Sequence, residues 1–415
     1  MAITPSIALI PSGYKEGKVY SILPIDGSAD FDFVRSGGAY KNTKEGIIEY
    51  VLEDVPRLDE FTEEFPVLEL EINSTNLGQY TEDLSNSVWN KSSVNIESNV
   101  LIAPNGTLSA DLVKRTSNSS NLLRQTISKP STQGTYSGSI YVFKDKSDFV
   151  AMRLQGTYPS RADAIFQFST EEITTSSINF IVKSTKVVKL ANGWYRIGVT
   201  VVTDSHPNLV FVITPKSQNG QVDSTDPEDD ASLGAWGFNI GASQYVASYT
   251  PNLGGGSVTR ARDSAEPTTG LVKYIDSSSG VLEINVAAYA NDQSLRTISL
   301  NQGSSSGSNE IFIQFDTVSN QVQYRYIAGG QVKAIGTFAN LDITEFNEIK
   351  IKWEDQNFGM KVNGTEVVSG FSSNTDGETM PKETLSEISF ARYFEGQIFY
   401  GKVKHIKIYK GIESY

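Results

Sequence analysis

The run VVKLANGWYRIGVTVV at positions 187–202 constrains this chain more tightly than any other stretch. It is rich in β-branched and aromatic residues and is interrupted by one Asn-Gly step. Asn192 and Gly193 both tolerate positive φ, so the step favours a tight type I′ hairpin whose twist suits the flanking strands. Side chains alternate along a strand, which puts Tyr195, Ile197, Val199 and Val201 on one face and Trp194, Arg196, Gly198 and Thr200 on the other. The first set reads as core.

The same β chemistry extends along the whole chain. Tyr (19) and Phe (20) are abundant, and 34 glycines with many Ser and Asn punctuate the strands. Helix signals are few: Thr81–Trp89 has the start of one short turn, and Thr43–Asp54 fits helix or strand, with extended structure favoured. A length of 415 residues suggests two domains. No run approaches the ~18–20 apolar residues of a spanning helix, and residues 1–13 lack the basic start of a signal peptide. With no cysteine there is no disulfide or thiolate site. A net charge of −13 without a basic cluster opposes binding to nucleic acid.

Three regions are expected. Residues 1–65 are short pieces broken by Pro and Gly, read as an irregular arm that packs on a neighbouring domain or subunit. Residues 66–263 begin with the strand Val67–Ile72, in which Glu69 and Glu71 should face out. Residues 264–415 hold a second series of strands, among them Val281–Val286, Ile349–Trp353 and Val403–Tyr409, with an Asn363-Gly364 turn. The fold class is therefore all-β: two antiparallel β-sandwich, jelly-roll-like domains after an irregular N-terminal segment.

Several segments, in order, resemble a module of bacteriophage tail and fibre proteins. They are Phe31-Asp-Phe33-Val-Arg35, Gly46-Ile-Ile-Glu49, Pro56-Arg57-Leu58-Asp59, Thr75-Asn76-Leu77 with Tyr80-Thr-Glu-Asp83 and Trp89, and Ala103-Pro-Asn-Gly-Thr107. The ending LGAWGFNIGASQYVASYTPNLGGGSVTRARD (233–263) closes the series, although Phe238-Asn239-Ile240 stands where that family usually has Gln-Leu-Glu. The resemblance covers roughly residues 30–263 and implies a carbohydrate-binding-like jelly roll. The C-terminal pattern is similar to concanavalin A-like and laminin G-like domains, which supports fold more than function.

Few residues form a recognisable chemical motif. His206 and His405 fall in different regions, so neither builds a Ser-His-Asp triad or a zinc site. There is no phosphate-binding glycine loop. Glu69-x-Glu71 is the nearest thing to a glycosidase pair and reads better as solvent-facing charge. Trp194 and Arg196, with Trp236 in a later strand, form a candidate platform for a sugar ring. The other reading is that Trp194 is covered by a loop or by the N-terminal arm and that Trp236 lies in the core. The acidic run Asp223, Asp226, Asp229 and Asp230 has oxygens enough for Ca²⁺ but lacks EF-hand spacing, so a solvated loop is the alternative.

The expectation is a phage virion structural protein of tail fibre, spike or head fibre type, assembled in the bacterial host cytoplasm. It would attach to the host surface by non-covalent glycan binding, without catalysis or a required cofactor, as a homotrimer among other virion proteins. Alternatives are a ligand-free capsid, collar or tail decoration protein and a polysaccharide depolymerase.

Overall fold

The computed structural model describes residues 3–303, 307–368, 371–373, 378–392 and 397–415. Strands dominate it. The helical element among these residues is a single 3-10 turn, Leu271–Lys273. The expected short turn of helix at 81–89 is a series of tight turns held by the Asp83 and Asn86 side chains.

The chain forms two units, divided differently from the expectation. A central unit holds Ala39–Tyr50 and Asn73–Ala261; a terminal unit holds Met1–Gly38, Val51–Ile72 and Arg262–Tyr415. The N-terminal 65 residues are thus no separate arm. Their strands find partners inside the chain, so they give no argument for a second subunit.

In the central unit two six-stranded antiparallel sheets face each other. The front sheet runs in the order Asn90–Ser92, Leu122–Ser128, Asn208–Lys216, Phe149–Gln155, Arg161–Gln167, Glu172–Ile178. The back sheet runs Val94–Ile102, Leu108–Arg115, Ser232–Ala242, Thr135–Lys144, Trp194–Val202, Ile181–Lys189. The hairpin read from Asn192-Gly193 is present and pairs Val187 with Ile197, but its turn is not type I′: only Gly193 takes a positive φ, 84°, and the loop closes one residue wider, with the Gly193 N–H on the Leu190 carbonyl and the Leu190 N–H on the Trp194 carbonyl. Tyr195, Ile197, Val199 and Val201 enter the core as their alternation required. Trp89, Phe211 and Phe238 form its aromatic centre, with the Phe211 and Phe238 rings 4.3 Å apart.

The terminal unit is a second sandwich. One sheet orders Thr365–Glu366, Gly359–Val362, Asn347–Trp353, Gly280–Ala287, Gly401–Lys410, Val67–Leu70 and Arg57–Asp59, and Ile7–Leu9 also pairs with Gly401–Lys410. The facing sheet is built on Gln331–Ala339, Gln321–Ala328, Glu310–Phe315 and Arg296–Asn301. The core between them takes Leu58, Leu68, Leu282, Ile284, Trp353, Ile406 and Ile408 together with Tyr324 and Tyr326.

A buried ion network ties this unit's segments together. Asp263 accepts from Arg35 at 3.1 Å and from Arg57, and its Oδ2 takes the Glu71 backbone N–H at 2.9 Å. Arg57 also pairs with Glu71 at 3.1 Å and Glu69 at 3.2 Å. Arg35, Arg57 and Asp263 have no exposed side-chain surface, and Glu71 retains 3%. This corrects the expectation that Glu69 and Glu71 face solvent: strand alternation turned them away from the apolar core, but Arg57 from the adjacent strand lies against them there.

Candidate functional site

Gly237 decides where the most promising site lies. Leu233 and Ala235 face the central core, and strict alternation would send Trp236 and Phe238 outward together. Instead the pairing with the Thr135–Lys144 strand slips between Ser139–Asn239 and Tyr141–Trp236. Gly237 sits in this bulge at φ 67°, and a Cβ there would meet the Tyr141 ring at 2.8 Å. The extra residue switches the strand's parity. Phe238 and Ile240 therefore point into the core while Trp236 points to the outer face of the back sheet.

On that face Trp236 begins an aromatic layer. Its ring lies 4.9 Å from Tyr249 and 5.6 Å from Tyr141; Tyr249 lies 5.3 Å from Tyr40, which is 5.4 Å from Tyr50. Tyr249 comes from the segment after the Ser232–Ala242 strand, and Tyr40 and Tyr50 from the hairpin Ala39–Asn42 and Ile48–Val51. The layer grades outward: Trp236 and Tyr249 are buried, Tyr40 is half-buried, and Tyr50 is 50% exposed.

Glu82 is set against this layer. Its Oε1 accepts the Tyr249 hydroxyl at 2.9 Å, and Thr81 Oγ1 lies 3.0 Å from the same hydroxyl. Burial pushes the Glu82 carboxyl above its ordinary range, and the hydrogen bond from Tyr249, with the Trp236 N–H nearby, offsets only part of that. Among the described residues no cation is paired with it. Tyr40 is likewise raised, first by burial and then by the Glu82 charge, while the Asn105 side chain pulls it down. Tyr40, Tyr50, Glu82 and Asn105 thus expose two aromatic rings, one carboxylate and one amide at the same surface.

The residues expected to form a platform are not at the surface. Trp194 is 2% exposed: its ring packs 5.5 Å from Phe143, and its indole N–H donates to the Ile102 carbonyl at 2.9 Å. Arg196 donates to the Ala247 carbonyl at 2.6 Å and to Ser139 at 3.1 Å, beneath the Tyr141 ring. Trp236 has no exposed surface. The physical reason is a second layer that alternation could not announce, since residues 243–252 return across the outer face of the sheet. A Cβ at Gly198 would meet Val246. Arg196 and Trp236 are the floor of the aromatic site and not its contact surface.

The acidic run does not converge on an ion either. Asp223 is held by Arg153, Asp226 is buried and capped by Ser217, Asp230 pairs with Lys146, and Asp229 is exposed. These residues belong to a strap, 217–231, lying on the outer face of the front sheet.

One other cluster has ligand-type groups. Glu283, Glu348 and His405 bring their ligand atoms within 4.8 Å of one another on the terminal unit's outer face. The Glu283 oxygens are already occupied, by Lys407 at 2.8 Å, His405 at 2.9 Å and Lys350 at 3.1 Å. Two ammonium groups stand where a divalent cation would bind, so the arrangement is an ion network. Burial alone would raise Glu283, but hydrogen bonds from His405, Lys407 and Lys350 outweigh it and hold the carboxyl well below the usual glutamate range.

No family model and no curated protein sequence matches the chain. Among solved structures, the carbohydrate-binding module CBM40 of a Ruminococcus gnavus IT-sialidase, bound to α2,3-sialyllactose, is similar at 11% identity, covering 32% of this chain and 77% of that one, with a TM-score of 0.26. Domains LG4-5 of the mouse laminin α1 chain are similar at 10% identity over 71% of this chain and 88% of that one, TM-score 0.24. Sheep galectin-11 is similar at 8% identity over 32% and 90%, TM-score 0.21.

Proposed function

We propose that this chain is a non-catalytic glycan-binding protein of the phage attachment type, with Tyr40, Tyr50, Glu82 and Asn105 as its recognition surface. The observation that carries this reading is the half-buried Glu82 carboxylate, paired with no cation among the described residues, on an aromatic layer that ends in a half-buried Tyr40 and an exposed Tyr50. Aromatic faces suit the C–H side of a sugar ring, and a few fixed polar groups suit its hydroxyls. Hydrolysis by the usual route needs two carboxylates about 5–10 Å apart. The nearest such pair in the sequence, Glu69 and Glu71, is held by the buried Arg57 at 3.2 and 3.1 Å, which favours binding over cleavage.

The attachment role rests on the segments that resemble phage structural proteins. Three of their charged residues, Arg35, Arg57 and Asp263, meet in one buried network, which supports treating those segments as parts of one inherited plan. Glycan-array and whole-cell binding by the full chain and by Tyr50→Ala tests the site. Retained binding in Tyr50→Ala and Glu82→Gln would remove it, and release of reducing ends from host polysaccharide would replace binding by catalysis. Antibody labelling of purified virions tests the attachment role.

A further inference from the structure

We infer that the uncovered half of the front sheet's outer face binds a carboxylate-bearing sugar, at a site separate from the aromatic one. The fold displays the required chemistry on the other half of the same face. There the strap presents Gln221, Val222 and Asp223 to the sheet. Arg153 is fixed by its Nε on Asp163 at 2.6 Å, which leaves its two terminal nitrogens to hold both Asp223 oxygens at 3.1 Å each. Such a planar fork on a carboxylate is directional as well as strong. Val222 is buried against Ala151 and Val212, and Gln221 Oε1 accepts from Arg161 at 3.2 Å. A carboxylate, an apolar patch and an amide are thus docked side by side.

The register continues this pattern past the strap. Asn90, Arg124, Val212, Arg153, Asp163 and Ser176 form one row across all six strands. Arg124 is two strands from Arg153, about 10 Å at the ~4.8 Å spacing of paired strands. It is exposed, and among the described residues it makes no ion pair, hydrogen bond or ring contact. The neighbouring row is Thr126, Val210, Gln155 and Arg161. Val210 and Gln155 are half-buried there, and Thr126 and Asn90 are exposed. Asp163, the carboxylate of its own row, is three strands away, about 14 Å at the same spacing, and is held by both Arg153 and Arg161.

The complementary ligand places a carboxylate on Arg124, a ring face over Val210, and hydroxyls against Thr126, Gln155 and Asn90. A hexuronic or other acidic sugar has these groups in one residue; a neutral sugar leaves Arg124 unmatched. The chain's net charge of −13 repels polyanions in general, so any acidic glycan that binds does so through a local site.

The test is calorimetry on the full chain with oligogalacturonate, the same oligomer after reduction of its carboxyl groups, and an N-acetylneuraminate oligosaccharide. At least one carboxylated probe is expected to bind, with reduction weakening binding at least tenfold. Arg124→Gln should weaken it at least tenfold with an unchanged melting temperature, and Arg124→Lys should retain part. Tyr50→Ala, which reads the other site, should leave it unchanged. The inference is overturned if no carboxylated probe binds at millimolar concentration, if the reduced oligomer binds equally, or if Arg124→Gln binds as the unaltered chain does.

Discussion

Arg57 and Asp263 are separated by 206 residues in the chain and are paired to each other with no exposed side-chain surface. Removing one partner of a buried pair strands the other charge, at a cost of about 3–5 kcal/mol. Asp263→Asn leaves Arg35 and Arg57 facing each other without the anion between them. Its calorimetric transition should fall accordingly, and a loss of less than about 1 kcal/mol would show that the network is dispensable.

Trp194→Ala is expected to cost about 3–5 kcal/mol, as other buried large-to-small changes do, because it removes a packed ring and leaves the Ile102 carbonyl without its donor. Chemical denaturation measures this. A variant as stable as the parent would mean that Trp194 is not packed as described.

Glu82 carries a pH signature of opposite sign to most carboxylates. Its folded-state affinity for a proton is raised by burial, so its charge costs stability at neutral pH, and that cost is relieved as pH falls through the folded value toward the unfolded one. Glu82→Gln should therefore melt higher than the parent at pH 7, with the two converging near pH 4. An unchanged difference across that range would show that Glu82 does not titrate there. The same substitution should weaken glycan binding, separating a site residue from a stability residue.

Glu283 should behave in the ordinary direction. Its carboxyl is held below the usual range, so its contribution is present above the unfolded value near 4.5 and is lost as pH falls below it. Glu283→Gln should lower stability by about 2–3 kcal/mol at pH 7, the scale of hydrogen bonds to a charged group. It should also flatten the acid limb of the stability profile. A parallel acid limb would place the acid sensitivity elsewhere.

Tyr50→Ala removes a half-exposed ring and should change stability by about 0.5 kcal/mol or less, as surface substitutions usually do. Cell or glycan binding should fall at least tenfold. A collapse of the melting temperature would make Tyr50 structural.

What could be read from the residues were the features with a local cause. The Asn192-Gly193 turn, the alternation of Tyr195 to Val201 and the extended character of Ile48–Val51 all follow from neighbours in sequence, and all are present. The site was harder to read because it depends on non-local events. One residue of bulge at Gly237 exchanged the faces of Trp236 and Phe238, and a returning segment covered Arg196. Tyr40 and Tyr50 lie more than 180 residues from Trp236, and their hairpin carried no sign that it would meet that strand. Glu69 and Glu71 were misplaced for the same reason. Alternation tells which residues share a face and not what covers it.

The pairing of Ile7–Leu9 with Gly401–Lys410 also sets an order of events. A chain leaving the ribosome can assemble the central sandwich once residue 261 is out, but the terminal sheet cannot close until residue 410 follows. Arg57–Asp59 and Val67–Leu70 can pair with each other early, but the buried, apolar Ile7–Leu9 must wait for its partner strand while everything between is made. Such long-range closure is slow and exposes aggregation-prone edges meanwhile. A fragment cut at residue 66 would lack Arg35, Arg57 and two strands of that sheet. The terminal sandwich is thus a product of both ends of the chain, and expression trials that trim either end are expected to give insoluble protein.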